Sequence, residues 1–258
     1  MLCNGCTEDT RGIGTIGHKS LTSPCNGSQG RSPHADLFRQ RCCYHNGVAD
    51  SANSFSLRTL RTVFLDRDGV LNRKLPEGRY ITSWSEFQPL PGVPQAIARL
   101  NRAGLRVVVV SNQRGIALGL YSSDDVRSIH SALQGWLQSH GAHIDAFYFC
   151  PHDTHQCNCR KPLPGLFHQA RADFPEIAAA ASVMIGDSLS DIEFGHRLGM
   201  TTVFLEGDPG APGERVCSLG WDSSHQKPGA EAARQLANLH FPSLIEATEA
   251  LLNQSIKI

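Results

Sequence analysis

The chain has 258 residues, in which 24 Lys plus Arg balance 24 Asp plus Glu, and hydrophobic residues make up 40%. This length suits one sizeable domain with a hydrophobic core, with or without appendages. The balanced charge gives no basic field that would attract nucleic acid or an anionic membrane, and no apolar run is long enough to span a bilayer. The N-terminus lacks the charged-then-apolar pattern of a secretory signal, so we expect a cytoplasmic protein, and we predict a monomer.

Residues 1–58 form a segment that is rich in Gly, Ser, Asn, Thr and Cys and has few large apolar side chains. It shows neither a helical nor a strand period, so we predict a disordered N-terminal extension; a start site assigned too far upstream is the alternative. Five of the nine cysteines fall there: Cys3, Cys6, Cys25, Cys42 and Cys43. An odd cysteine count without a secretory signal favours a reducing compartment, with thiols that are free or bound to metal.

Residues 59–258 alternate apolar runs with amphipathic segments, which predicts one domain. Strands are predicted at 61–65, 105–113, 146–149, 181–187 and 201–207. Helices are predicted at 92–104, 122–141 with Ser123 as cap, 164–174, 190–199 and 229–254 with a break near Pro242. Strands that alternate with helices of this length indicate a doubly wound α/β fold with a mostly parallel sheet.

Chemically suggestive residues follow four successive strands of this predicted sheet. Asp66 and Asp68 follow the first, Ser111 the second, a Cys/His loop the third and Asp187 the fourth. Ligands of doubly wound sheets bind beyond the carboxyl ends of the strands. The four clusters are therefore expected to meet at one rim of the fold.

The acidic clusters are typical of phosphate chemistry assisted by Mg²⁺. In "DRDG", one carboxylate can attack an electrophile while the other handles a proton. In "GDSLSD", Asp187 and Asp191 lie one helical turn apart and offer the oxygen ligands that Mg²⁺ prefers. Each motif alone has an ordinary alternative: an Asp-rich turn for the first and an acidic helix N-terminus for the second.

The loop after the second strand, Ser111-Asn112-Gln113-Arg114, can present a hydroxyl and several backbone N–H groups to an anion. The alternative is a simple strand-to-loop turn. We expect these four residues to bind substrate.

"CPHDTHQCNCRKP" contains three cysteines and a histidine at the spacing of a metal site. Cys150, His152, Cys157 and Cys159 make a complete tetrahedral set for a structural Zn²⁺, with a free-thiol loop or a disulfide as alternatives. His155 offers a substitute for His152. A metal bound at the end of this loop would fix the direction of Arg160 and Lys161, which are suited to gripping a phosphate.

Taken together, D-x-D-G at 66–69, Ser111, Lys161 and G-D-x-x-x-D at 186–191 resemble the four motifs of the haloacid dehalogenase superfamily. "FLDRDGVLN" and "CPH…C-x-CRKP" resemble its zinc-loop phosphatases, which lack a large cap domain and act on D-glycero-D-manno-heptose 1,7-bisphosphate or on histidinol phosphate. The resemblance covers about residues 61–206 and implies the cofactors Mg²⁺ and Zn²⁺ and a phosphorylated sugar as substrate.

The resemblance also implies roles for individual residues. Asp66 would attack phosphorus, and Asp68 would protonate the leaving oxygen and later deprotonate water. The Asp66 side chain, the Asp68 carbonyl and Asp187 would hold Mg²⁺, and Lys161 would neutralise charge near Asp66. Asp191 would support the site without binding the metal.

Two departures from the family pattern bear on the substrate. Ser188 stands where the family often has lysine, and we hypothesise that Arg114 supplies the missing cation. The short loop between the zinc ligands resembles the histidinol-phosphate type, whereas "GRYITSWSEFQPLPG" resembles the heptose type, in which Gly78, Arg79 and Tyr80 would reach the substrate. We favour the heptose bisphosphate, with histidinol phosphate and an inactive zinc-binding module as alternatives.

Overall fold

The computed structural model describes residues 60–76, 78–207 and 229–256. The predicted N-terminal extension with its five cysteines, and also Cys217, lie outside these residues. None of the helices in the described ranges has the length and apolar character that crossing a membrane requires.

In the described part of the chain, six parallel strands form a single sheet, which confirms the predicted α/β fold and adds one strand to the five that were predicted. They are β1 (Thr62–Leu65), β2 (Arg106–Asn112), β3 (Ala146–Cys150), β4 (Ser182–Gly186), β5 (Thr201–Leu205) and β6 (Leu239–Phe241). Their order across the sheet is β3-β2-β1-β4-β5-β6. Val63 in β1 pairs with Val107 on one side and with Val183 on the other, so the most apolar strands lie at the centre.

Among the residues that the structure describes, six α-helices connect and cover the strands. They are α1 (Val93–Arg102), α2 (Ser123–Ser139), α3 (Gly165–Asp173), α4 (Leu189–Leu198), α5 (Ala230–Leu236) and α6 (Leu244–Ile256). The longest described connection between strands, residues 66–105, contains α1 and one 3₁₀ turn, Trp84–Glu86. No described connection is therefore large enough to form a separate cap domain.

Alternate residues of the central strands enter two different apolar layers. Val63 and Leu65 pack in the layer that contains the buried faces of α1, α2 and α6. Phe64 points the opposite way, into the layer that contains α3 and α4. Side chains of a strand alternate between the faces of a sheet, so a continuous apolar run such as Thr62–Leu65 is what a doubly covered strand requires.

The strand order places a crevice at the carboxyl ends of β1 and β4. From β1 the chain builds outward through β2 and β3, and then returns to add β4, β5 and β6 on the other side. Asp66 N–H donates to the carbonyl of Ile185 at 3.0 Å, which holds the two strand ends together. This reversal of strand order is the usual ligand position in such sheets.

Two local predictions were wrong. The N-cap of α2 is Ser122 instead of Ser123: its hydroxyl caps Asp125, and the Asp125 carboxylate accepts from the Ser122 N–H in return. Residues 229–254 were predicted to be helical apart from a break near Pro242, but Leu239–Phe241 form strand β6. That segment pairs with β5 in parallel, and this non-local pairing overrides the helical pattern around it.

Candidate active site

Three buried carboxylates meet at the crevice between β1 and β4. Asp66 directly follows β1, Asp187 directly follows β4, and Asp191 lies in the first turn of α4. One oxygen of each lies within 4.8 Å of the others. The backbone comes close to this cluster at Gly69, where φ is +98° and an added Cβ would lie 2.2 Å from Asp187 Oδ2.

Lys161 is the buried counter-ion of two of these carboxylates. Its Nζ lies 2.8 Å from Asp66 Oδ1 and 2.6 Å from Asp191 Oδ1. A third bond, to the Val110 carbonyl at 2.7 Å, completes its donor set. Burial opposes the charged form, but Asp191 and Asp66 outweigh burial and raise the pKa of Lys161.

The pKa of Asp66 is raised toward neutral pH. Burial and the neighbouring Asp191 carboxylate raise its pKa to about 6, against the opposite effect of Lys161. Lys161 offsets only part of the negative charge around Asp66. This remaining negative charge favours a bound cation and favours attack of the Asp66 carboxylate on an electrophile.

Asp191 has structural contacts through its other oxygen. Its Oδ2 accepts from Ser188 N–H at 3.1 Å and from the Ser188 hydroxyl at 2.6 Å, which caps the start of α4. Asp191 therefore has two roles. Its Oδ2 caps the N-terminus of α4, and its Oδ1 pairs with Lys161 in the carboxylate cluster.

Asp68 faces a different set of groups. The guanidinium of Arg67, whose side chain is 1% exposed, donates to both carboxylate oxygens, with Nη2 2.8 Å from Oδ2. Asn72 and Gln113 also donate to it, at 3.0 and 3.2 Å. Burial alone would raise the pKa of Asp68, but Arg67 and these hydrogen bonds outweigh burial and lower it.

The loop after β2 contributes fewer free side chains than the sequence analysis expected. Ser111, the penultimate residue of β2, is buried and accepts from Gln113 Nε2 at 3.3 Å. Gln113 Oε1 accepts from Arg67 at 3.2 Å and from the Tyr121 hydroxyl at 2.8 Å. The side chain of Gln113 thus connects Ser111, Asp68 and Tyr121.

Cys150, His152, Cys157 and Cys159 converge as the spacing predicts. Four of the separations among their Sγ and Nδ1 atoms run from 3.3 to 3.8 Å. These are about the edge lengths of a tetrahedron with metal–ligand bonds of about 2.0 to 2.3 Å, so the four residues fit Zn²⁺. The three cysteines are free thiols, which excludes the disulfide alternative for them in this structure.

The chain just beyond the Cys/His loop is attached to the carboxyl end of β2. Asn112 Oδ1 accepts from Lys161 N–H at 2.9 Å, and Asn112 Nδ2 donates to the Lys161 carbonyl at 3.1 Å. Arg114, expected to reach substrate, instead pairs with Asp153 in the loop, with its own side chain 45% exposed. Asn112 therefore holds both the N–H and the carbonyl of Lys161, and Arg114 joins the loop after β2 to the Cys/His loop.

Several residues that contact the site were not found from sequence, among them Asn72, which donates to Asp68. Arg67, Lys74 and Tyr121 each contact a predicted site residue, and Lys74 Nζ lies 3.2 Å from Asp187 Oδ2. Arg67 carried a signal, since it is a charge between two site aspartates at the end of an apolar strand. Lys74 and Tyr121 lie in irregular segments whose course no local pattern determines.

Comparison with known proteins agrees with this architecture. The model of the HAD-hydrolase-like family matches residues 158–214. The D-glycero-alpha-D-manno-heptose-1,7-bisphosphate 7-phosphatase of Mycobacterium tuberculosis (strain CDC 1551 / Oshkosh) is 44% identical over 137 residues, which are 53% of this chain and 72% of the relative. The D-glycero-beta-D-manno-heptose-1,7-bisphosphate 7-phosphatase of Rhodopseudomonas palustris is 37% identical over 153 residues, 56% of this chain and 83% of the relative.

A solved structure extends the similarity to a larger share of the chain. The D,D-heptose 1,7-bisphosphate phosphatase of B. bronchiseptica, complexed with magnesium and phosphate, superposes with a TM-score of 0.62 at 27% identity. The match covers 76% of this chain and 99% of that protein. The chain therefore belongs to the HAD-like phosphatase family that contains the D-glycero-D-manno-heptose-1,7-bisphosphate 7-phosphatases.

Proposed function

We propose that this protein is a Mg²⁺-dependent phosphatase that removes the 7-phosphate of D-glycero-D-manno-heptose 1,7-bisphosphate through an aspartyl-phosphate intermediate. The observation that carries the proposal is the buried cluster of Asp66, Asp187 and Asp191, within 4.8 Å, with Lys161 paired to two of them. The names of the relatives support the substrate.

The carboxylate cluster suits Mg²⁺ in the chemistry of its donors, since hard oxygen ligands at a partly hydrated site are what this ion prefers. The Asp66 and Asp187 side chains, with the Asp68 backbone carbonyl, are the ligands we assign. Bound Mg²⁺ would act as a Lewis acid that offsets the repulsion between a carboxylate and a phosphate dianion.

Asp66 is the nucleophile in this proposal. Its carboxylate oxygen forms a bond to phosphorus while the bond from phosphorus to the sugar oxygen breaks, and Asp68 passes a proton to that oxygen. Because Arg67 and its hydrogen bonds lower the pKa of Asp68 in the free protein, this role requires that Asp68 take up a proton when the substrate phosphate arrives beside it. Asp68 then takes a proton from water, which attacks phosphorus and releases phosphate and the Asp66 carboxylate. Lys161 remains beside Asp66 and offsets its negative charge throughout.

Substrate binding is assigned to the loop after β2 and to the cations of the zinc loop. The Ser111 hydroxyl is assigned to phosphoryl oxygens, together with backbone N–H groups beyond Gln113, since the Gln113 N–H itself donates to the Cys150 carbonyl at 2.8 Å. The side chains of Asn112 and Gln113 hold Lys161 and Asp68, so we now assign them positioning roles. Arg160 has a buried guanidinium nitrogen without a protein partner and is assigned to a substrate oxygen.

The hypothesis that Arg114 compensates for Ser188 stays a prediction. Replacing Arg114 with alanine should raise KM strongly, whether the guanidinium binds substrate itself or acts by holding Asp153. An Asp153→Ala variant separates the two routes, because it breaks the ion pair but keeps the cation. An unchanged KM in Arg114→Ala rejects the hypothesis.

Zn²⁺ in the Cys/His cluster is assigned a structural role. Four protein ligands fill a tetrahedral shell and leave no position for substrate. Its effect on catalysis would pass through Arg160 and Lys161, which directly follow Cys159 in the chain.

Phosphate release from heptose bisphosphate and from histidinol phosphate, measured side by side with Mg²⁺ present, tests the proposal. We expect the heptose bisphosphate to be preferred and Asp66→Asn to abolish release from it. Preference for histidinol phosphate would keep the chemistry and replace the substrate. Full release by Asp66→Asn would point to a contaminant and favour the inactive zinc-binding module. A cytoplasmic location and a monomeric state stay predictions.

A further inference from the structure

Lys74 is a second cation at the carboxylate cluster, and its surroundings differ from those of Lys161. Its Nζ donates to both oxygens of Asp187, at 3.3 and 3.2 Å. The Asp187 side chain is fully buried, whereas 43% of the Lys74 side chain is exposed. Asp187 is thus approached by a lysine that extends inward from solvent.

The two lysines divide the three carboxylates between them. Lys161 pairs with Asp66 and Asp191, and Lys74 pairs with Asp187. Three carboxylates with two ammonium groups leave one net negative charge in the cluster. Because charges in a poorly solvated crevice act strongly on one another, this balance affects both a divalent cation and a phosphate dianion that enter the site.

The two lysines differ in exposure and in the number of groups that hold them. Lys161 is 1% exposed and has a third acceptor in the Val110 carbonyl, so displacing it would leave a buried cation without partners. Lys74 has a flexible four-carbon stem, has less than half of its side chain exposed and contacts the cluster with its terminal nitrogen. An ammonium group on both oxygens of Asp187 competes with any metal ion that binds the same oxygens.

We propose that Lys74 is a mobile counter-ion, which occupies Asp187 until a divalent cation displaces it and then donates to a phosphoryl oxygen of the substrate. This inference rests on the proposed function for the identity of the anion, but not for the competition at Asp187. It assigns opposite effects to one side chain: Lys74 weakens the binding of Mg²⁺ and strengthens the binding of phosphate.

Calorimetric titration of the full chain, first with Mg²⁺ and then with inorganic phosphate in saturating Mg²⁺, measures both effects without turnover. In Lys74→Met the Kd for Mg²⁺ should fall about fivefold, as expected for loss of a partly exposed ion pair. The Kd for phosphate should rise about tenfold, as expected for loss of a charge-assisted hydrogen bond. Lys74→Arg should restore most of the phosphate affinity.

Arg127→Met is the matched control, because it removes one positive charge from the exposed face of α2, where Arg127 pairs with Asp124. Both Kd values should stay within twofold of wild type in that variant. Unchanged or weaker Mg²⁺ binding in Lys74→Met would overturn the competition, and unchanged phosphate binding would overturn the transfer to substrate. If wild type bound Mg²⁺ and phosphate as expected yet released no phosphate from heptose bisphosphate, the proposed function would fail while this inference stood.

Discussion

Replacing Gly69 with alanine is the most direct test of how closely the chain is packed around Asp187. The new Cβ would lie 2.2 Å from Asp187 Oδ2 and 2.4 Å from Asp187 Cγ, where real contacts stay beyond 3.0 Å. The Asp187 carboxylate must therefore shift by nearly an ångström or the loop must open. Gly69 also has φ of +98°, which is unfavourable for any residue with a side chain.

A control variant separates the effect of backbone strain from the effect of the steric clash with Asp187. Gly104→Ala introduces a side chain at φ of +72° with no atom within 4 Å, so it measures backbone strain alone, about 1 kcal/mol of unfolding free energy. Gly69→Ala should lose more than that. Its kcat/KM should fall about 100-fold, since misplacing a catalytic group by about 1 Å has that effect. Mg²⁺ affinity should fall about tenfold.

Thermal unfolding, calorimetric titration with Mg²⁺ and steady-state phosphate release provide the three measurements. Gly104→Ala should keep wild-type kcat/KM and Mg²⁺ affinity. If Gly69→Ala also kept both within twofold, Asp187 would not be a metal ligand at the position described, and the assignment of the cluster would have to be abandoned.

Three further predictions concern the residue that holds Lys161, the ionisation of Asp66 and the Cys/His loop. Asn112→Ala should lower unfolding free energy by about 2 kcal/mol and reduce kcat, because two hydrogen bonds to the Lys161 backbone are lost; an unchanged kcat in steady-state assays would show that Lys161 does not need them. The carboxylate form of Asp66 is lost as pH falls through its pKa of about 6, and roughly three-quarters is protonated at pH 5.5. Mg²⁺ titrated at pH 5.5 should therefore bind about fourfold more weakly than at pH 7.5, and equal affinities would contradict a role for Asp66 as ligand. Cys157→Ser should reduce the zinc content of the purified protein and lower both Tm and kcat. Full activity in a zinc-free variant would show that the position of Lys161 does not depend on a metal in this loop.

Much of the fold follows from local sequence patterns. The β-branched run Arg106–Asn112 and the apolar stripe on Ser123–Ser139 predict β2 and α2, because burial on two faces or on one stripe leaves a periodic signature. The predictions failed where that signature is short or ambiguous. Ser122 and Ser123 are both capable caps, and Leu239–Phe241 is a three-residue strand stabilised by pairing with β5.

The sequence by itself determined which chemical groups are available to this protein: Asp66 and Asp187 directly after strands, three cysteines and a histidine at the spacing of a metal site, and Lys161 just beyond them. The tertiary structure decided which cation pairs with which carboxylate. In the folded chain, Lys161 pairs with Asp66 and Asp191, Lys74 pairs with Asp187, and Arg67 pairs with Asp68. Periodicity reports which face of an element is buried, but pairing between charges depends on where separate loops end in space, and that is determined only when the whole sheet has formed.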